Sequence, residues 1–424
     1  MRRVVVTGLG VVTPFGCDAD GLWRALTTGR SAGRLVDGYE GATGTDPQVG
    51  APVAGFVARD HVDPKSLRLM APAVAFGVAA AGLAVGDARI ELAALDPARV
   101  GAFVGSRGHS SDRADLRPAV DRASRHGAFR LAAFGAEGLG LVPPMWLLKG
   151  LANNVLYFVS LRHNLQGMNN NLSMGGVSAT VAIGEACQAL RDGLLDVALA
   201  GGYDSALDFD RIEMFGSSGL VATPDGDPAQ ASRPFDRRRT GFVPGEGAGF
   251  LVLETLASAA RRGARVYGEV LGYGTTTAPA SPGGLGPSAE GFAGAMADAL
   301  ADAGGARPDV VFAHGLATRA ADIEETAALR RLFGPDAAHV PTPALKSMLG
   351  NSFAASGALE AAAALLALRD GLVPPTINLT EPDPACNLDY VAGGEARAMR
   401  IDRAALSNAN LGGAHAALVL GRAE

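Results

Sequence analysis

Acyl transfer needs a nucleophile held at a tight turn, and one stretch of this chain has that form. Asn169-Asn170-Asn171-Leu172-Ser173-Met174-Gly175-Gly176, followed by Val177 through Leu190, reads as a short buried strand, a turn of small residues and then a helix. Such a turn, aimed into a pocket with a helix N-terminus behind it, places a nucleophile where backbone N–H groups stabilise negative charge. Here the apex is Gly176, which has no side chain to attack with. Ser178, two residues on, has no base assigned to it and reads as a capping or packing serine. Cys187 lies eleven residues along the helix, roughly 16 Å away at the helical rise, and reads as a buried core thiol. The other cysteines, Cys17 and Cys386, are scattered, with no CxxC or Cys/His ligand spacing. That pattern argues against a disulfide framework or a zinc site and suits a reducing, cytoplasmic setting. Only three lysines occur, Lys65, Lys149 and Lys346, against 34 arginines, so each lysine is a candidate for a specific task.

The elements that must hold such a site come from a chain of 424 residues, 48% hydrophobic, with 57 glycines. That length and composition suit a globular protein of two domains or two fused halves with many tight turns. A net charge of −6 argues against non-specific nucleic-acid binding. The Arg237-Arg238-Arg239 triplet reads as solvated surface or ion pairs. The apolar run after Met1-Arg2-Arg3 is broken by Gly8, Gly10 and Pro14, so it reads as a first strand and turn. No apolar run reaches the length of a membrane span.

Short apolar strands are expected at 3–13, 100–106, 197–202, 249–254, 266–274, 309–314 and 417–420, with helices near 19–28, 66–83, 148–163 and 287–304. The alternation predicts an α/β fold with buried, largely parallel sheets covered by helices. Residues 107–150 lack clean periodicity, and a stretch of that length is functional or covers an interface. The second half restates the first. The run 266–274 echoes the opening strand, and Lys346 through Gly371 repeats the strand–turn–helix at 169–193, with both helices ending in Leu-Arg-Asp-Gly. Two similar halves, 1–254 and 255–424, are therefore expected to pack together with the site between them.

Several segments carry a family resemblance. They are Val6-Thr7-Gly8-Leu9-Gly10-Val11-Val12-Thr13-Pro14, Ala200-Gly201-Gly202 with Asp204, and Arg233-Pro234-Phe235-Asp236. Further along come Gly241-Phe242-Val243-Pro244-Gly245-Glu246-Gly247-Ala248-Gly249, His314-Gly315, Lys346-Ser347-Met348-Leu349-Gly350, and Gly357-Ala358-Leu359-Glu360. Over nearly its whole length the chain resembles a β-ketoacyl synthase of the thiolase-like superfamily. The resemblance implies a five-layered αβαβα sandwich made of two duplicated halves, and a dimer. In active members an elbow cysteine takes an acyl chain from an acyl carrier protein. Two histidines then stabilise the charge that builds as malonyl-carrier protein loses carbon dioxide.

Carried over residue by residue, the resemblance is uneven. The cysteine position is Gly176. The first histidine is kept as His314, and the second is Asn351. The lysine is kept as Lys346, and a family glutamate as Glu360. A His-Gly-Thr-x-Thr motif that holds the pantetheine arm reads His314-Gly315-Leu316-Ala317-Thr318. The Gly-Phe-Gly-Gly loop that gates the cysteine reads Asn410-Leu411-Gly412-Gly413. No catalytic set is intact, and the expectation is a pocket that no longer condenses. Lys346 and Glu360 are expected as a buried ion pair holding its shape.

A ketosynthase without its nucleophile resembles the chain-length factor, or ketosynthase β subunit, of type II polyketide synthases. The Arg239-Thr240-Gly241-Phe242-Val243-Pro244-Gly245-Glu246-Gly247 form of the loop also looks like that subfamily. The resemblance implies an active ketosynthase α subunit as heterodimer partner and an acyl carrier protein that carries the phosphopantetheine-linked chain. It implies no directly bound cofactor or metal and no nucleic-acid or membrane partner. A gapless match puts Ser111, Ala114 and Pro118 where aromatic synthase members carry bulky tunnel-closing residues, so the tunnel would stay open there. Their spacing is one helical face, although Pro118 argues against a continuous helix. Two other readings stay open: a malonyl-carrier-protein decarboxylase using His314 and Asn351, and a purely structural partner.

Overall fold

The computed structural model describes residues 2–37, 48–108, 113–125, 127–224, 226–278 and 286–423. Nine strands form the main sheet: β1 (Val4–Val12), β2 (Val100–Gly105), β3 (Asn169–Leu172), β4 (Val197–Ser205), β5 (Glu246–Thr255), β6 (Gly268–Thr277), β7 (Val310–Phe312), β8 (Arg403–Ala409) and β9 (Ala414–Gly421). The helices that matter here are α1 (Ala19–Thr27), α2 (Pro72–Ala88), α3 (Arg113–Ala123), α4 (Asn154–His163), α5 (Ser178–Arg191), α6 (Phe209–Ser217), α7 (Ala289–Asp302), α8 (Arg319–Phe333) and α9 (Ser356–Asp370).

The duplication is written into the topology. One half runs β1-β5-β4-β2-β3 and the other β6-β9-β8-β7, joined where Val5 and Val6 of β1 meet Glu269 and Gly268 of β6. Corresponding strands pair in the same sense. β1/β5 and β6/β9 are antiparallel, as are β5/β4 and β9/β8, whereas β4/β2 and β8/β7 are parallel. Even the register break recurs, between Val6 and Gly8 in one half and between Val270 and Gly272 in the other. The same glycines explain the outer layers. A Cβ on Gly8 or Gly10 would strike carbonyl oxygens of α2, and one on Gly272 or Gly274 would strike those of α7. Each helix therefore lies directly on strand backbone, which only glycine permits.

The predicted largely parallel sheet is corrected: antiparallel ladders dominate. A strand buried on both faces is apolar at every position whichever way it runs, so composition carries no direction. All nine positions of β1 and of β4 are buried. Helices α2 and α4 cover one outer face, α7 and α8 the other. Between the halves lie α5, on β4 and β2, and α9, on β8 and β5, giving five layers. Helix α9 has no solvated stripe: Ser356 through Leu368 are all buried. Such all-round burial accounts for its alanine-rich, non-amphipathic sequence.

The region 107–150 holds more order than its sequence predicts. Helix α3 runs through Pro118, contrary to the expected break. One proline removes a single ladder hydrogen bond, and here the buried Ala119 and Ala123 anchor the opposite face against the π-helical turn Phe134–Gly138. No helix among the described residues is long and apolar enough to cross a membrane.

Helices α5 and α9 touch at Gly357, where an added Cβ would overlap Thr180 Oγ1 and lie 2.7 Å from Asn408 Oδ1. Gly357→Ala is expected to lower unfolding stability by about 1–3 kcal/mol through overpacking. Chemical denaturation of the purified variant checks this, and an unchanged midpoint would contradict so close a crossing.

Candidate functional site

Between the two halves lies a cleft of about 240 Å³. Its floor is the turn Gly175-Gly176 at the start of α5; its walls come from His314, Leu316, Asn351, Phe353 and the β8–β9 turn, Ala409 to Gly412. Arg211, Phe215 and Phe242 complete one side and Pro287 the other. The structure thus brings together Gly176, His314 and Asn351, three positions that lie far apart in sequence.

The turn is held by Ser178. Its Oγ accepts from the Met174 N–H at 2.9 Å and donates to the Gly175 carbonyl at 2.8 Å. This serine is buried and occupied by backbone, so it stands in for no nucleophile. Gly175 has φ 63°, in the left-handed region. At Gly176 a Cβ would point toward His314, with Cε1 4.0 Å away, and would meet the carbonyl oxygen of Ala409. Cys187 faces the core between the halves, and burial pushes its thiol up to about 12. Cys17 and Cys386 are not among the cleft's lining residues either. Among the described residues no cysteine, serine, threonine or lysine lines it, so none of these offers a nucleophile of the acyl-transfer kind.

His314 sits at the end of β7 in a loop pinned by two buried carboxylates of α8. Glu325 accepts from the N–H groups of His314 and Gly315 at 2.7 and 2.9 Å and from Ser407 Oγ at 2.7 Å. Asp322 accepts from Ala317 N–H at 3.1 Å, where φ is 64°, and from Phe235 N–H at 2.8 Å. Arg239, buried at the end of the predicted surface triplet, lies 3.1 Å from Asp322 and 3.0 Å from Asp383. Of the three arginines, Arg237 and Arg238 remain partly exposed and paired with Glu381. The imidazole of His314 is held well below its ordinary value, first by burial and then by the positive charge of Lys346 and the nearby His415. It is therefore neutral near pH 7, and its buried Nδ1 has no hydrogen-bond partner.

Asn351 is fixed by the glycine-rich loop that carried part of the resemblance. Its N–H donates to the Val243 carbonyl at 2.8 Å, and its own carbonyl accepts from Gly245 N–H at 2.9 Å. Its side-chain Oδ1 accepts from Phe353 N–H at 3.1 Å. The residue lines the cleft. Phe353, at φ 41°, stacks on Phe215 with ring centres 5.0 Å apart and meets Phe242 edge-on at 5.3 Å. The Arg211 guanidinium lies over the same ring at 5.4 Å and pairs with the fully buried Asp204 at 2.8 Å. These aromatic walls and Arg211 were missed from the sequence. The one local signal was Phe353 two residues after Asn351.

Lys346 does not line the cleft but lies behind it. Its Nζ is 2.6 Å from Glu360 Oε1, both side chains almost wholly buried. Glu360 Oε2 accepts from Asn408 Nδ2 at 2.6 Å, and Asn408 Oδ1 accepts from Thr180 Oγ1. This chain ties α9 to β8 and α5, the elements that carry the cleft. Of the tunnel candidates, Ala114 and Pro118 are exposed on α3, and Ser111 lies outside the described residues. The same side of the sequence carries most of the exposed large apolar side chains. Phe129, Leu131, Leu139, Leu141, Leu147, Leu148, Tyr157, Leu161 and Met168 are all at least 45% exposed, and they precede or abut the edge strand β3. Among the described residues no cluster of histidine, cysteine or carboxylate side chains is suited to a metal ion.

Removing one partner of a buried pair strands the other charge. Glu360→Ala is accordingly expected to cost about 3–5 kcal/mol of stability, and the double variant Lys346→Met/Glu360→Leu distinctly less. Urea denaturation of the three proteins decides it; equal losses would show that the pair does not act as a unit.

A family model described as the N-terminal domain of β-ketoacyl synthase matches residues 1–259, and one for the C-terminal domain matches residues 267–380. The chain is 35% identical over 431 residues to the tetracenomycin polyketide synthase ketoacyl synthase alpha subunit of Streptomyces glaucescens, covering 99% of this chain and 97% of that one. It is 34% identical over 423 residues to 3-oxoacyl-(acyl-carrier-protein) synthase 2 of Coxiella burnetii, covering 99% of each. Among solved structures it is similar to the ishigamide ketosynthase/chain length factor, with a TM-score of 0.86, 32% identity and complete coverage of both chains. With both family models matched and the αβαβα duplication in place, this chain belongs to the β-ketoacyl synthase family.

Proposed function

We propose that this chain is a non-condensing, chain-length-factor-like subunit of a type II polyketide synthase. It pairs with an active ketosynthase, which supplies the cysteine, and its own surface lines the channel along which the acyl chain extends. The observation that carries this reading is the cleft, which gathers His314 and Asn351 around a turn whose apex, Gly176, has no side chain. Without a nucleophile no covalent acyl intermediate forms, whatever the remaining groups contribute. The exposed apolar side chains between Phe129 and Met168 supply the second support. An apolar surface of that kind marks an interaction face, and an unpaired edge strand such as β3 extends it with free backbone groups. The likeness to the ishigamide ketosynthase/chain length factor suits the same reading. In this account the phosphopantetheine arm is borne by an acyl carrier protein that delivers to the partner, and this subunit holds no cofactor.

Small residues at 111 and 114, the latter on α3, fit a channel left open for a long or slender product. Ala114→Phe and Ser111→Phe are expected to shorten the products of the reconstituted pair, by one or more extension units, without lowering its total turnover severely. Mass spectrometry of the released products measures this. Unchanged product length in both variants would favour a purely structural partner.

One observation favours a second reading. His314 is neutral and Asn351 lines the same cleft, so these two side chains offer donors to an enolate oxygen. The subunit alone, incubated with malonyl-carrier protein, is expected to release no acetyl-carrier protein above the rate of the buffer control. Sustained catalytic release abolished by His314→Ala would establish the decarboxylase reading instead.

A further inference from the structure

Asn410 closes the tight turn between β8 and β9. Its N–H donates to the Ala414 carbonyl at 2.9 Å, and its Oδ1 accepts from the N–H groups of Gly412 and Ala414 at 2.8 and 3.0 Å. Its remaining amide hydrogens reach out of the turn: Nδ2 donates to the Met174 carbonyl at 2.9 Å, in the turn that carries Gly176. Asn410 thus staples the end of β8 against the start of α5.

One residue earlier, the staple fixes the Ala409 carbonyl. Its oxygen lies well under 3.0 Å from where a Cβ on Gly176 would be, closer than side chains are found to approach. The obstacle is backbone, held by the β8 ladder on one side and by Asn410 on the other, so it cannot rotate aside as a side chain would. Gly176 itself is not in the left-handed region, unlike Gly175. Its backbone conformation would accept any residue; its neighbour does not.

We propose that the Ala409 carbonyl, seated by Asn410, is a backbone plug that excludes every side chain from position 176. The bare apex at 176 and the seating of Ala409 by Asn410 are then one coupled feature, and a cysteine cannot be accommodated at this turn until the loop releases Ala409. This goes beyond the pairing reading and is read on this chain by itself, so either can fail without the other.

The test is a double-mutant cycle on the full-length chain, Gly176→Ala against Asn410→Ala, followed by thermal unfolding. Gly176→Ala is expected to lower the melting temperature by several degrees in the otherwise native chain and by much less in the Asn410→Ala background. A second arm places Gly176→Cys in the chain with and without one glycine inserted between Asn410 and Leu411. The thiol should react with iodoacetamide at least about tenfold faster, and the protein melt higher, when the extra residue is present. Equal losses in both backgrounds overturn the proposal, as does a Gly176→Cys chain that is as stable and as reactive without the insertion. Variants at 176 that fail to fold whatever the loop also overturn it, because the coupling is then absent.

Discussion

Lys346 and Glu360 meet behind the cleft at 2.6 Å with almost no access to water. Two charges in that position are tolerable only as a pair, and only with their remaining hydrogen-bonding capacity met. Asn408 and Thr180 continue the chain, so that α9, β8 and α5 are bound to one another by polar contacts in the middle of an apolar core. Three parts of the cleft adjoin these elements. Gly176 starts α5, Ala409 ends β8, and Asn351 leads into α9. The pair also helps to keep His314 uncharged, since Lys346 adds to the effect of burial. The cleft at Gly176 therefore takes its shape from groups that lie behind it.

The same separation runs through the whole chain. The structural carboxylates Asp322 and Glu325, the Arg239 pairs and the glycines that let α2 and α7 lie on strand backbone are all in place. The positions that depart from the family resemblance are Gly176, Asn351, Leu316 and Asn410-Leu411, and all of them line the cleft. The large apolar side chains are also unevenly placed. The core is closed, whereas leucines such as Leu131 at 76% and Leu161 at 65% exposure stand open in the segment that precedes the edge strand in sequence. Apolar area left open there is stabilised by covering it, and a second subunit of the same fold would present a matching edge.

Much of this was legible in the sequence because it rests on pattern and composition. The duplicated strand–turn–helix, the Gly-x-Gly pairs and the apex glycine can be read directly, and the resemblance placed His314, Asn351 and Lys346. Strand direction was not legible, since β1 and β4 are buried at all positions and a two-sided apolar run looks the same in either sense. The helix through Pro118 was missed because tertiary anchoring at Ala119 and Ala123 outweighs the local cost of one proline. Phe353 and Ala409 were missed for a different reason. One takes its place from an unusual φ, the other acts through a carbonyl oxygen, and neither property is encoded in residue type.

The central claim is that bond-forming chemistry belongs to another chain while this one supplies wall and surface. Native and intact-mass spectrometry of the chain co-expressed with a cysteine-bearing ketosynthase, after exposure to acyl-carrier protein loaded with a starter, addresses it directly. The account predicts a one-to-one complex in which the acyl mass is found on the partner alone. A chain that remains a homodimer beside the ketosynthase, or that itself carries the acyl mass, would contradict it.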